Sequence, residues 1–437
     1  MTSRTDPAGS PATHVRGMIF VWVFAAAFIL YVQRTTIAVV AVPLTQEQGF
    51  SPWQQTLLLT AFMLTYTVFQ IPGGLFGQKV GARAGTVACI LLSTFGTAAF
   101  AAAPYLAAGA LLFALLFAAR LVIGVAQGPL FPINAGLVQA WFPPRRWSLM
   151  NGLQVMGLSL GAAATPPIVA FLTARAGWQI GVFATCVPGA LLAALWWWLV
   201  RDTPREHPSV NAAEIAEIEA GERPTVARRF DWPSALAVLG NRNVLLLTFA
   251  YLLQNYVFYF FMNWSFIYLV ESRHFSLPTT GVLAMIPLAV GALCASLGGY
   301  LCDLACARLG PRWGFRIVPL VAMPLAALAL FVIMTLPENA PVGFAIAALA
   351  ACFGFEQMTE APEWGAAFWV APGQASAATG ILNCGGNVGG IIATLLVGFL
   401  RSQFGWSTAF AVGMGFALVS AVVWLLVDAD RRATTAA

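Results

Sequence analysis

The run from Ala118 to Pro143, AARLVIGVAQGPLFPINAGLVQAWFP, is apolar and long enough to cross a bilayer, yet it carries one charged side chain, Arg120. An arginine near the middle of a membrane helix costs about 3 kcal/mol or more, so it faces a cavity or a partner and marks a path for a substrate or an ion. Seven-residue spacing keeps Arg120, Gln127 and Asn134 on one face of an α-helix, a polar stripe expected to line a cavity. Gly128 and Pro129 should interrupt that helix just past its middle, which is tolerated only against protein or a water-filled space. A second cluster lies in CFGFEQMTEAPEWGAAFWVAP, where Glu356, Glu360 and Glu363 fall on one helix face. Ionised together in a low-dielectric site they repel, so at least one should hold a proton at neutral pH. A rise of ~1.5 Å per residue puts Glu356 near the midplane with Glu360 a turn closer to the inner side. Pro362 should kink the helix there. These acids could couple transport to protons, balance the charge of Arg34 and Arg120, or hold a cationic part of a substrate.

No catalytic constellation accompanies them. His14, His207 and His274 fall in the tail or in loops, no nucleophile has a base at a useful spacing, and no glycine loop precedes Lys and Ser/Thr. The seven cysteines are scattered through apolar segments without metal-ligand spacing, so neither a metal nor a cofactor is expected.

The elements that must position these side chains follow from composition. Hydrophobic residues make up 59% of the 437 and charged residues 9%, with a mean hydropathy of +0.80; this excludes a soluble globule with a single core. Segments long enough to span fall at about 17–42, 53–77, 84–103, 107–142, 147–171 and 178–200, and again at 244–270, 278–302, 314–335, 341–370, 375–400 and 406–427. The expected fold is an all-α membrane protein of 12 transmembrane helices in two six-helix bundles, residues 1–200 and 244–437, joined by a cytoplasmic linker loop over 201–243. The polar first fifteen residues run into a full-length apolar segment without a small-residue cleavage pattern, which reads as an uncleaved first helix. With both termini cytoplasmic, only Arg175, Arg273 and Arg401 lie outside and Arg34 and Arg120 within the membrane, leaving 17 of the 22 Lys and Arg inside. The net charge of +5 is thus a topology signal and implies no nucleic-acid partner. Within the linker, Asn211 to Glu222 could form a short amphipathic surface helix. The halves echo each other, with IPGGLFGQKVGAR after the second span and LGGYLCDLACARLG after the eighth.

The paired glycines followed by Lys79, Gly81 and Arg83 resemble the loop signature of the major facilitator superfamily, and the copy at Asp303 resembles its second-half counterpart. More narrowly, YVQRTTIAV, RLVIGVAQGPLFPINAGLVQAWFP, RDTPREHPSVNAAEIAEIE and TGILNCGGNVGGIIATLLVGFL resemble the anion:cation symporter family of sugar-acid and sialic-acid carriers. The resemblance implies that Arg34 and Arg120 hold a substrate carboxylate, that Tyr31 and Tyr66 contribute hydroxyls, and that Gln154, Trp364 and Asn383 complete the substrate site. A planar guanidinium fork suits a carboxylate independently of any resemblance. Two departures stand out. The acids that relatives place at the first and fourth spans for proton coupling are Gln33 and Gln127 here, and Gln78 replaces the aspartate of the loop signature.

The expectation is therefore a secondary transporter of a small organic anion, a sugar acid or other carboxylate. It would work by alternating access as a monomer in the cell inner membrane, with the proton as coupling ion through Glu356, Glu360 or Glu363. The alternatives are a proton-independent uniporter or anion exchanger, and a membrane receptor with a transporter-like fold.

Overall fold

The computed structural model describes residues 11–143, 146–219, 238–337, 340–371 and 375–430. It is helical along almost the whole of that length. Ten stretches are long and apolar enough to cross a membrane. One of them, Leu277–Thr335, runs for 59 residues but breaks at Gly310 (φ 76°, ψ 170°), a backbone state open to glycine, so it supplies two passes. Pro52–Val80 adds another, giving the twelve expected from the sequence.

In chain order the helices are α1 Val15–Gln48, α2 Pro52–Val80, α3 Ala82–Leu106, α4 Gly109–Gln127, α5 Leu130–Trp141, α6 Trp147–Ala176, α7 Trp178–Ala184 and α8 Cys186–Leu199. The linker contributes α9 Ala212–Glu219. There follow α10 Arg242–Asn263, α11 Ser265–Arg273, α12 Leu277–Thr335, α13 Val342–Gln357, α14 Glu360–Val370, α15 Ala375–Phe404 and α16 Trp406–Leu426. The break between α4 and α5 falls at Gly128 and Pro129, as their types predict. The break between α13 and α14 falls at Met358 and Thr359, one turn before the expected site at Pro362. The cause is local: proline has no N–H to return to the carbonyl four residues earlier, that of Met358, so the distortion appears there. Gly298 of α12 lies against the Met358 backbone, where a side chain would have no room.

The helices form two compact units. The first holds the described residues of Met1–Arg34, Leu64–Gly161 and Val182–Ala227. Its core joins Ile19, Val23 and Leu30 of α1 to Ile133, Leu137 and Trp141 of α5 and to Leu192 and Trp196 of α8. The second holds those of Thr35–Met63, Ala162–Gly181 and Arg228–Ala437. Its core sets Val244, Leu247 and Tyr251 of α10 against Ala366 and Val370 of α14, Leu382 of α15 and Trp424 of α16.

The linker is bound to the first unit by helix caps. Glu214 of α9 is fully buried and accepts from the backbone N–H of Val15 (3.2 Å) and Arg16 (2.9 Å) and from the Thr13 hydroxyl (2.5 Å), satisfying donors at the α1 N-terminus that have no partner within the helix. Asp202 accepts from the Arg83 N–H at 2.7 Å and caps α3 in the same way. Gly81, at φ 87°, makes room for it, since a Cβ there would lie 2.6 Å from Asp202 Oδ2. Arg205 donates from Nη2 to both carboxylate oxygens of Glu219 and from Nε to Oε1. The amphipathic linker helix expected over Asn211 to Glu222 is thus present as α9; its last three residues lie outside the described residues.

Candidate functional site

The first unit gathers the arginines. Arg34 is about nine-tenths buried, and its Nη1 donates to the Tyr31 hydroxyl at 3.2 Å. Its guanidinium also lies 4.9 Å from the Tyr31 ring centre and 4.7 Å from that of Tyr66. Two ring faces hold the fork by cation–π attraction and fix its plane. Arg120 is buried on α4, and the neighbouring charge that acts on it is a second positive one, Arg34. Two cations held close in a buried place form a site that a carboxylate would stabilise.

Beside the arginines, Gln33 and Gln127 form a directional chain. Gln127 Nε2 donates to the Ser93 hydroxyl (2.9 Å) and to the Leu30 carbonyl (3.1 Å), and Ser93 donates in turn to Gln33 Oε1 (2.7 Å). Gln33 Nε2 then donates to Thr94 Oγ1 (3.1 Å) and to the Thr185 carbonyl (3.3 Å). The chain ties α1, α3, α4 and the α7–α8 break together with neutral groups. Asn134 is fully buried on α5 and accepts from Thr86 at 3.4 Å, while its Nδ2 has no partner. Gln154, on α6, is buried with its Nε2 also unbonded. The Gln78 side chain lies outside the described residues.

The second unit gathers the acids. Glu356 is fully buried and accepts from Gln254 Nε2 (3.1 Å) and Gln357 Nε2 (2.9 Å). Glu360 accepts at Oε1 from the Tyr251 hydroxyl (3.0 Å) and from the Trp364 indole N–H (2.9 Å). Trp364 and Tyr251 meet edge to face, ring centres 6.3 Å apart, so the substrate-site candidate Trp364 holds an acid in place. Glu363 is fully buried, and neither carboxyl oxygen has a hydrogen-bond partner. Asn383 is half-buried on α15, with Asn387 a turn further along accepting from Tyr259 at 3.4 Å.

Composition and motif spacing did not point to Ser93, Tyr251, Gln254 or Trp424. A signal existed for two of them: Tyr251 and Gln254 are three apart on a largely apolar span, the spacing that puts polar groups on one face. Nor did sequence reasoning mark Glu214, which looks like an ordinary loop acid. Tyr256 and Trp264 of this region are core residues; Tyr256 donates to the Ala409 carbonyl at 2.9 Å.

The profile of the Major Facilitator Superfamily matches residues 23–362. The chain belongs to the major facilitator superfamily. Within that superfamily it is similar to the probable galactarate/D-glucarate transporter GudP of Bacillus subtilis (strain 168), 26% identical with 98% of this chain and 94% of the relative covered. It is equally similar to the hexuronate transporter of the same organism, 26% identical over 92% of both chains. The D-galactonate transporter of Escherichia coli O6:H1 is 25% identical over 95% of this chain and 96% of its own. Among solved structures, a bacterial homologue of the human lysosomal transporter Spinster, inward-facing and unoccupied, matches with a TM-score of 0.77 at 15% identity, covering 98% and 100% of the two chains. A D-xylose–proton symporter matches with a TM-score of 0.73 at 13% identity, covering 93% and 96%. Both share the facilitator fold of this protein.

Proposed function

We propose that the protein carries a small sugar acid across the cell inner membrane by alternating access, with both termini in the cytoplasm and residues 1–200 and 244–437 as the two halves that move about the linker. The observation that carries the reading is the buried Arg34–Arg120 pair, with Arg34 clamped between Tyr31 and Tyr66. A guanidinium stays charged when buried and presents two parallel donors to a carboxylate, which fits an acid sugar better than a neutral one. The names of these three relatives, a galactarate/D-glucarate, a hexuronate and a D-galactonate transporter, point the same way. Tyr31, Tyr66, Gln154, Trp364 and Asn383 are the remaining substrate candidates, with Gln33, Gln127 and Asn134 lining the approach. The unbonded Nε2 of Gln154 and Nδ2 of Asn134 are donors suited to hydroxyl or carboxylate oxygens.

Coupling to protons is the second part of the reading and rests on the acids of α13 and α14. Exchange without protons is its competitor, supported by the neutral Gln33–Ser93–Gln127 chain where the family resemblance leads one to expect acids. Counterflow of labelled D-glucarate, galactarate and D-galactonate in proteoliposomes tests the reading. Wild type should exchange at least one of them. Arg120→Ala should lose more than 90% of the exchange, about 1.4 kcal/mol or more of ligand stabilisation, while its melting temperature stays within a few degrees. Arg120→Lys should recover little because the fork is gone. Full exchange by Arg120→Ala would remove the arginine pair from the substrate site.

A further inference from the structure

The three acids of the tenth span are not equivalent. Glu356 and Glu360 each receive two hydrogen bonds from neutral donors. Glu363 receives none although it is fully buried. Trp424 of α16 faces it, is itself fully buried, and has an indole N–H with no partner. A carboxyl and an N–H donor thus sit side by side in a contact that falls short of full hydrogen-bond geometry.

An ionised carboxylate in that position has no donor to replace lost water, and such a group costs several kcal/mol even after relaxation. It would also add its charge to those of Glu360 and Glu356, which act on it. A neutral acid leaves only an unmade hydrogen bond, about 1–3 kcal/mol. Among the described residues, no positive charge acts on it. The Tyr251 hydroxyl of α10 is committed to Glu360. On α12 the ring of Phe315 packs at Gly365, on α15 Ala378 and Leu382 belong to the same apolar cluster, and on α16 the neighbour is Trp424. None of these groups carries a positive charge.

We propose that Glu363 is the proton-binding acid of this transporter, neutral in the conformation seen here, and that the Trp424 indole closes on it when the proton leaves. In that step the Glu363 O–H bond breaks, the proton passes to the carboxylate of Glu360 one turn away, and an O–H bond forms there; Glu360, half-buried, then releases it to water. The Glu363 anion accepts the Trp424 Nε1–H, so one unmade hydrogen bond is closed as one charge appears. Depth along the helix alone favours Glu356 or Glu360. The partners single out Glu363.

The inference deepens the transport reading and rests on it, because a coupling proton has meaning only with a carried solute. Infrared difference spectra of the purified protein in lipid nanodiscs need no substrate. Wild type at pH 7 should show the C=O stretch of a neutral carboxylic acid that Glu363→Gln removes and Glu360→Gln keeps. Glu363→Asp should shift that band instead of removing it, which decides the point if Glu363→Gln does not fold. An unchanged band in Glu363→Gln overturns the assignment. In vesicles, Glu363→Gln should keep D-glucarate exchange within twofold of wild type and lose at least 90% of the accumulation driven by an imposed pH gradient. Trp424→Phe should keep accumulation but move its half-maximal pH, because the freed carboxylate loses its donor. Equal accumulation by wild type and Glu363→Gln overturns the proposal, as does a wild type that exchanges D-glucarate but ignores the gradient. A wild type that transports no sugar acid overturns the transport reading instead, and the infrared result then stands alone.

Discussion

The neutral pair Gln33 and Gln127 replaces two acids that the family resemblance leads one to expect, and the geometry shows what an acid would disturb. Gln33 Nε2 faces the Thr185 carbonyl and Thr94 Oγ1, and Gln127 Nε2 faces the Leu30 carbonyl and Ser93. A carboxylate at either position sets oxygen against oxygen, and each buried carbonyl left without its donor costs about 1–3 kcal/mol. Gln33→Asp and Gln127→Glu should therefore lower the melting temperature. Only a protonated acid can donate in their place, so stability falls as pH rises and the loss should be larger at pH 8 than at pH 5. Thermal unfolding at the two values checks the sign; a loss independent of pH would mean that the acid is reached by water. Arg34, Arg120 and the three glutamates were legible in the sequence because a charge in an apolar run stands out. Ser93 was not, because a lone serine in an apolar helix is ordinary until its hydroxyl is seen between two amides.

Helix breaks were readable wherever a residue type forces them. Gly128 with Pro129 and Pro362 each mark one, the last displaced by a turn towards the carbonyl that proline leaves unbonded. Caps supplied from another segment were not readable, since Glu214 lies 198 residues from the α1 N–H of Arg16 that it accepts. The linker therefore holds the first unit together as well as spanning the gap to the next span. Glu214→Ala should cost about 1–2 kcal/mol, the upper part of the range for losing a helix cap, because it strips two backbone donors and a hydroxyl at once. Asp202→Ala should cost less, with one N–H uncapped at α3. Glu214→Gln keeps the acceptor but loses the charge that complements the helix dipole, and should fall in between. Unfolding in detergent measures the order, and a Glu214→Ala variant as stable as wild type would show that the caps are replaced by water.

Alternating access requires that the end of the molecule holding α2, α11 and α15 together opens once in every cycle. Within the second unit Arg401 of α15 pairs with Glu271 of α11 at 2.6 Å and donates to Gln55 of α2 at 2.8 Å. Its guanidinium lies 5.3 Å from the Trp264 ring centre. One turn before it, Gly398 sits against Thr56, and a Cβ on Gly398 would lie 2.8 Å from the Thr56 Cβ. The glycine here lets α2 and α15 approach closely, beside the Arg401–Gln55 hydrogen bond one turn away. A disulfide needs Cβ atoms about 3.5–4.5 Å apart, which a slight outward shift of either helix supplies. The double variant Thr56→Cys, Gly398→Cys should therefore cross-link on oxidation and lose exchange entirely, and a reductant should restore it. Each single variant, treated with the same oxidant, controls for the seven native cysteines. Arg401→Ala should act in the opposite sense, loosening the contact and shifting the population towards the state open at this end, with faster thiol labelling of the introduced cysteine when Arg401→Ala is combined with Thr56→Cys alone. Full exchange by a protein shown by mass spectrometry to be cross-linked would mean that α2 and α15 stay together throughout the cycle, and the opening would then have to lie between other helices.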